Sequence, residues 1–219
     1  MPPVGLPLPD VVPVLPGRQV WLRPARPADA GVLGRLGIDP HIHRFYGREH
    51  AVRRGLTSTE ARQTVSRLMG RHGNQGWVIE ARGRLVGTAR LFAVEPDERR
   101  AWYFISLLSH EFVGRRLGTE ATRLVLTYAF AVLGMHRVSA RVLDFNARAV
   151  ALLRGSGFVV EGREREWLYF EDDWRDALVM GVLEHEFRAV VSSLPECERL
   201  SGLSRVVRED LRVAAGAVR

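Results

Sequence analysis

The 219-residue chain contains no lysine: all 32 of its basic residues are arginine, against 25 acidic ones, for a net charge of +7. A nucleic-acid surface normally appears as a clustered basic patch. Here the arginines are scattered and interleaved with acids, as in Arg163-Glu164-Arg165-Glu166. The excess therefore reads as a compositional bias, and no nucleic-acid partner is expected. Cysteine is nearly absent as well. Cys197 stands alone, so no internal disulfide can form, which fits a reducing cytoplasm. No apolar run approaches the roughly 20 residues of a membrane span. The first residues lack the basic-then-apolar pattern of a signal peptide. No membrane partner and a cytoplasmic location are expected. His41, His43 and His50 come without the carboxylate or cysteine pattern that would complete a metal site.

What remains is an ordinary globular composition, 46% hydrophobic and 26% charged, on a chain long enough to bury one core. Six of the eleven prolines fall within residues 1–16. Segment 1–17 therefore cannot be helical and is expected to lie extended or disordered ahead of a folded domain spanning 18–187. Residues 188–219 form a tail in which 203–214 have the pattern of a short amphipathic helix.

Within the domain, 19–23 read as a strand, and Pro27 opens a helix running to Leu36. Thr57-Ser58-Thr59-Glu60 has the capping-box pattern ahead of apolar positions 61, 65, 68 and 69. Residues 77–80 and 85–94 form a hairpin around Arg82-Gly83. An aromatic and apolar strand covers 101–108, a helix 117–133 and a strand 137–143. After a short helix beginning near Asn146 come strands at about 158–169 and 175–185, turning at Glu171-Asp172-Asp173.

The stretch between the 101–108 strand and the helix that follows carries the chemistry. It reads Val113-Gly114-Arg115-Arg116-Leu117-Gly118-Thr119-Glu120-Ala121. A strand ending in such a turn aims the free N–H groups of the helix's first turn at one point. The helix dipole adds partial positive charge there, so the turn suits a phosphate. Arg115 and Arg116 add full charges.

The order of these elements, with Gly118-Thr119-Glu120-Ala121, Tyr128-Ala129-Phe130, His136-Arg137-Val138, Asn146-Ala147-Arg148-Ala149, Gly157-Phe158 and Trp174-Arg175-Asp176, resembles the GNAT acetyltransferases over residues 18–187. Within that superfamily it is most similar to the branch of ribosomal-protein N-terminal acetyltransferases. The resemblance implies an α/β (α+β) fold, a mixed, mainly antiparallel twisted sheet flanked by helices. It implies acetyl-CoA as cosubstrate and transfer of its acetyl group by direct attack of a primary amine.

By position, Leu107 and Leu108 flank the thioester, and a backbone N–H there holds the thioester oxygen as negative charge grows on it. The turn Val113, Gly114, Arg115, Arg116, Leu117, Gly118 and Thr119 encloses the pyrophosphate, with the amides from Arg116 onward as donors. Asn146 lies near the sulfur and the pantetheine arm, or simply caps the helix it precedes; the two roles are compatible. The resemblance also implies that the region between the first two helices, 39–55, roofs the acceptor site, and it admits a homodimer.

The chain departs from this family's pattern in places. The turn usually begins with Arg or Gln and has glycine at its fourth position, where this chain has Val113 and Arg116. An arginine at that place calls for an ordinary helical backbone. The usual tyrosine acid is replaced by Leu153, and Ser156 nearby is assigned no role. Asn146 and Glu166 are the catalytic candidates, with Glu111 a further carboxylate. Trp102, Phe104 and Trp167 either line an acceptor pocket or belong to the core.

Without a clear base the site suits an amine of low pKa. A protein α-amine titrates near about 8, a lysine side chain near about 10.4. The acceptor is thus a protein N-terminal α-amine or a small-molecule amine. A different class of function stays open at this stage, a non-catalytic acyl-CoA-binding or protein-interaction module on the same fold.

Overall fold

The computed structural model describes residues 8–9, 11–36, 39, 42, 44–46, 56–69, 74–194, 200, 202, 205 and 207–209. His41, His43, His50 and Cys197, most of the 39–55 roof and much of 203–214 lie outside them.

Eight strands form one sheet. They are β1 (Leu15–Pro16), β2 (Trp21–Pro24), β3 (Gln75–Ala81), β4 (Arg84–Glu95), β5 (Arg100–Leu107), β6 (Arg137–Leu143), β7 (Val159–Phe170) and β8 (Asp173–Leu183), in the order β1-β2-β3-β4-β5-β6-β8-β7. Every neighbouring pair is antiparallel except β5 and β6. A parallel pair needs a long crossover. Here it is supplied by α3 (Leu117–Thr127), which runs on into a single wide π turn, Tyr128–Val132, where the sequence pattern predicts one uniform helix.

Other helices among the described residues include α1 (Asp29–Leu36), α2 (Ser58–Leu68), α4 (Ala147–Arg154) and α5 (Glu184–Ser192). Local codes act as expected in several places. Thr57 caps α2 with a complete capping box to Glu60. Arg82 and Gly83 both take positive φ at the β3–β4 turn, as do Glu171 and Asp172 at the β7–β8 turn. The strand expected to run to residue 185 stops at Leu183, and α5 follows it directly.

Alternate residues of each strand feed two cores. Trp77 and Ile79 of β3, Ala101 and Tyr103 of β5, and Val138, Ala140 and Val142 of β6 pack with Ala121, Leu124 and Val125 of α3. Val78, Leu85 and Leu108 face the other way, onto Leu33 of α1 and Ala61, Val65 and Leu68 of α2. Tyr103 also donates to or accepts from Thr122 at 3.0 Å, and Thr122 donates to the Gly118 carbonyl at 2.8 Å. This buried chain of hydroxyls fixes the start of α3 against β5. Leu200 and Val207, from the tail, also enter the first core.

The described residues of the proline-rich segment, 8–9 and 11–16, are not ahead of the domain but packed onto it. Leu15–Pro16 pairs with β2, and Val12 and Leu15 are buried in the first core. The Trp77 indole N–H donates to the Pro13 carbonyl at 2.7 Å, and the Gln75 amide donates to that of Pro9 at 3.3 Å. Gln75 in turn accepts from the Tyr128 hydroxyl at 3.1 Å, whose pKa burial pushes well above its ordinary value. Proline carbonyls keep their acceptor capacity, so an extended proline-rich chain satisfies a core tryptophan without being helical. Glu120 completes the strap by accepting from the backbone N–H groups of Arg18 and Gln19.

One nearly buried acid staples the start of α1. The Arg23 guanidinium donates to both oxygens of Asp29 at 2.8 and 2.9 Å and to Glu80 at 2.8 Å, and the Arg26 N–H donates to Asp29 at 2.7 Å. Burial pushes the Asp29 carboxyl up, but these donors together hold it below its ordinary value. Its contribution is therefore complete above the unfolded value of about 3.9 and is lost as pH falls through the lower folded value. Asp29→Asn should cost about 3 kcal/mol at pH 7, the low end for breaking a buried pair, because Arg23 keeps Glu80. Urea midpoints measured from pH 6 down to pH 2.5 should fall more steeply for the parent than for the variant below about pH 4.

Candidate active site

The β5–β6 ladder is short. Its partners run from Arg100–Arg137 to Tyr103–Ala140 and stop there, although β5 continues to Leu107 and β6 to Leu143. Past Tyr103 and Ala140 the two strands no longer pair with each other, and a gap opens between them. A cavity of about 650 Å³ lies beside the end of β5, lined by Ile105 and Leu107, by the turn leading into α3, and by Asn146, Arg148, Ala149, Ala151 and Leu152 around α4. Ile42 and Phe45, from the segment between α1 and α2, also reach it.

Strand alternation decides which backbone donor faces the gap. The Leu108 N–H donates to the Val86 carbonyl of β4 at 3.0 Å, and Leu107 pairs with Gly87. Leu107–Gly87 is thus a non-hydrogen-bonded pair, and the Leu107 N–H points away from β4, toward β6. Of the two residues singled out, Leu107 lines the cavity, whereas the Leu108 side chain packs in the α1–α2 core.

The turn into α3 is built from two left-handed residues, Gly114 at φ 80° and Arg116 at φ 61°, ψ 7°. The expectation of an ordinary helical backbone at Arg116 is therefore wrong. The chain keeps the conformation that glycine favours and sets arginine in it, at roughly 1–2 kcal/mol of steric strain. Arg116 is also the N-cap of α3, and its side chain makes no capping hydrogen bond. The first helical bond across the cap is Glu120 N–H to Arg116 carbonyl, 3.0 Å. The N–H groups of Leu117, Gly118 and Thr119 thus have no intrahelical acceptor, as in the first turn of any helix. These residues, with Val113, Gly114 and Arg116, line the cavity, and Arg115 does not. A side chain at Gly118 would meet Leu152 of α4 at 2.9 Å, so glycine there lets α4 close the cavity wall.

Asn146 does two things. It is the N-cap of α4, accepting from the Ala149 N–H at 3.1 Å, and it lines the cavity while nearly buried. Its side-chain oxygen is used in the cap; the amide nitrogen is left for another partner. Glu166 is elsewhere. It is exposed at a bulge of the edge strand β7, at φ 52°, with its N–H bonded to Asp176 at 2.9 Å, and it is not among the cavity-lining residues. Glu111 is exposed and bonded to Arg84 at 3.2 Å. Leu153 is core, and the buried Ser156 hydroxyl donates to the Leu152 carbonyl at 2.9 Å.

Several cavity residues carry no local sequence signal, among them Phe112, Arg148 and His110. The His110 ring nitrogen Nδ1 contacts the Asp39 carboxylate, which also accepts from the His110 N–H at 2.8 Å, while the Asp39 N–H donates to the Leu108 carbonyl at 3.3 Å. This ties the segment after α1 to the end of β5. The strand-end motif Leu108-Ser109-His110 does not predict such a contact, because its partner lies about 70 residues earlier.

Among the described residues no helix is long and apolar enough to cross a membrane. The family model for the acetyltransferase (GNAT) domain matches residues 19–159. The spermidine N(1)-acetyltransferase of Escherichia coli K12 is 27% identical over 174 residues, covering 78% of this chain and 89% of that protein. The structure of Mycobacterium smegmatis RimJ in complex with CoA-disulfide superposes with a TM-score of 0.70 at 25% identity, over 90% of this chain and 97% of that one. The Vibrio cholerae spermidine N-acetyltransferase in complex with CoA and spermine shares the fold, with a TM-score of 0.66 at 22% identity, over 77% and 98% of the two chains.

The strain at Arg116 has a measurable consequence. Arg116→Gly should raise the urea midpoint by the equivalent of about 0.5–1 kcal/mol, the relief of strain less the added flexibility of the unfolded chain. Arg116→Ala, which keeps the left-handed residue non-glycine, should not.

Proposed function

The chain belongs to the acetyltransferase (GNAT) family, and from that premise we propose which of its residues carry acetyl transfer from acetyl-CoA to a primary amine. The observation that supports the assignment best is the early end of the β5–β6 ladder beside a helix start whose first N–H groups have no cap. The two features share one cavity. The residues fit the cosubstrate: a row of free donors for its pyrophosphate, and a slot between strands for its extended arm.

When bound, acetyl-CoA supplies an activated carbonyl. The amides of Leu117, Gly118 and Thr119 hold the pyrophosphate, with the α3 dipole behind them and the Arg116 charge beside them. The Leu107 N–H donates to the thioester oxygen and stabilises the charge that develops there. Asn146 lies on the opposite wall, where its amide nitrogen donates near the sulfur. Leu153 has no proton to give, so the departing thiol draws its proton from water or from the amine itself. That arrangement favours an acceptor with an appreciable neutral fraction near pH 7, an α-amine or a small amine of low pKa, over a lysine side chain. The acetyltransferase unit comprises residues 18–187 together with the strap that docks on it.

Thermal unfolding with and without acetyl-CoA tests the cosubstrate site. At 100 times its dissociation constant the ligand should raise the midpoint by about 5–10 °C, with no such rise for ATP. Leu107→Pro removes the donor at a position outside the β4 ladder. It should lower the rate of thiol release by about 100-fold or more while leaving the acetyl-CoA-induced rise in place. An unchanged rate would remove Leu107 from the mechanism.

A further inference from the structure

On the face of the sheet opposite α3, the mouth of the gap is ringed by arginines and aromatic rings. Val138, Ala140 and Val142 point into the α3 core, so Arg141 points to the other face. It is the first residue of β6 past the last pair with β5, and Phe104 is the first on β5. The Arg141 guanidinium lies between Trp102 and Trp167, 5.3 and 5.0 Å from their centroids. Glu164 takes its Nε and Nη2, the latter at 2.8 Å. The Nη1 edge forms no hydrogen bond among the described residues, and the side chain is 37% exposed. Arg90, the cross-strand partner of Phe104, lies over Phe92 and Phe104 at 4.6 and 5.2 Å. Each cation is therefore seated on aromatic faces, which fixes its position.

With the cosubstrate assigned to the cavity beside the α3 turn, an amine on this face would meet the thioester carbon through the gap between β5 and β6. A polyamine acceptor would need carboxylates to spare there. Four acids there are already paired: Glu161 to Arg137, Glu164 to Arg141, and both Asp144 and Asp176 to Arg163.

Resting on the acetyltransferase reading above, we propose that the acceptor is an amine bearing a carboxylate close to it, bound by the Nη1 edge of Arg141 with Arg90 beside it. A free amino acid and a peptide with an acidic residue near its N-terminus offer the same chemistry.

The test measures thiol release with the full chain, acetyl-CoA and four acceptors: free glutamate, a peptide beginning Ala-Glu, its Ala-Gln counterpart, and spermidine. We expect kcat/KM for at least one carboxylate-bearing acceptor to exceed those of the Ala-Gln peptide and spermidine by about tenfold or more, the worth of one charge-assisted contact. Glutamate leading points to a small-molecule acceptor, and Ala-Glu leading to a peptide. Arg141→Gln and, separately, Arg90→Gln should bring the ratio of carboxylate-bearing to neutral acceptor close to one, with melting curves confirming that each variant is folded. Spermidine or Ala-Gln turning over as fast as the acids overturns the inference and leaves the transferase reading standing. Turnover of no acceptor overturns it too, and an absent acetyl-CoA shift would then bring down the underlying reading as well.

Discussion

One parallel pair in an otherwise antiparallel sheet governs this molecule. Pairing β5 with β6 in parallel demands a crossover, and the crossover is α3. Stopping that pairing after Tyr103–Ala140 opens the backbone of both strands at the place where α3 begins. The start of the helix and the end of the ladder are thus consequences of the same connection. The hydroxyl chain from Tyr103 through Thr122 to the Gly118 carbonyl holds them in register. Much of the remaining architecture serves to keep this junction rigid. The Asp39–His110 contact braces the end of β5, Gly118 lets α4 press in from the side, and Asn146 caps α4 where it meets the cavity.

The parts of this arrangement that a reader of the sequence can find are those written in adjacent residues. The capping box at Thr57, the positive-φ turns at Arg82-Gly83 and Glu171-Asp172, and the Asn146 cap depend on three or four neighbours and behave accordingly. The cavity turn was visible for the same reason, and so was the likeness of the whole order to a family. Three features were hidden. The backbone at Arg116 was read from the side chain's preference, but the exposed arginine is carried by its neighbours into a conformation it does not favour. The strap over residues 8–16 is held by Trp77, 64 positions beyond Pro13, so no local pattern announces it. Glu166 was a carboxylate in the right stretch of sequence, but a β7 bulge, which shifts the register between Glu164 and Leu168, accompanies its placement away from the cavity.

The two faces of the sheet divide the labour between backbone and side chain. On the α3 side the proposed contacts are dipoles and amides, which suit phosphate and carbonyl oxygen whatever residue types surround them. On the other side the proposed recognition rests on side chains, and a chain without lysine has only guanidinium groups to use as fixed cations. Guanidinium is planar, stays charged at any physiological pH and stacks on rings. Arg90 and Arg141 are placed to exploit all three properties. A lysine at either place would be a mobile, strongly hydrated point charge.

The edges of the sheet carry a final consequence. An unpaired strand is a template for another chain's strand, and long flat edges invite runaway assembly. At one end, β1 is two residues long and finishes in a proline, which has no N–H to offer. At the other, β7 is bent by two register shifts and alternates charge along Glu161, Arg163, Glu164, Arg165 and Glu166. Neither border offers a run of regular, uncharged backbone onto which a foreign strand could zip. The sheet that had to be interrupted in its middle to work is thereby also closed to growth at its rims.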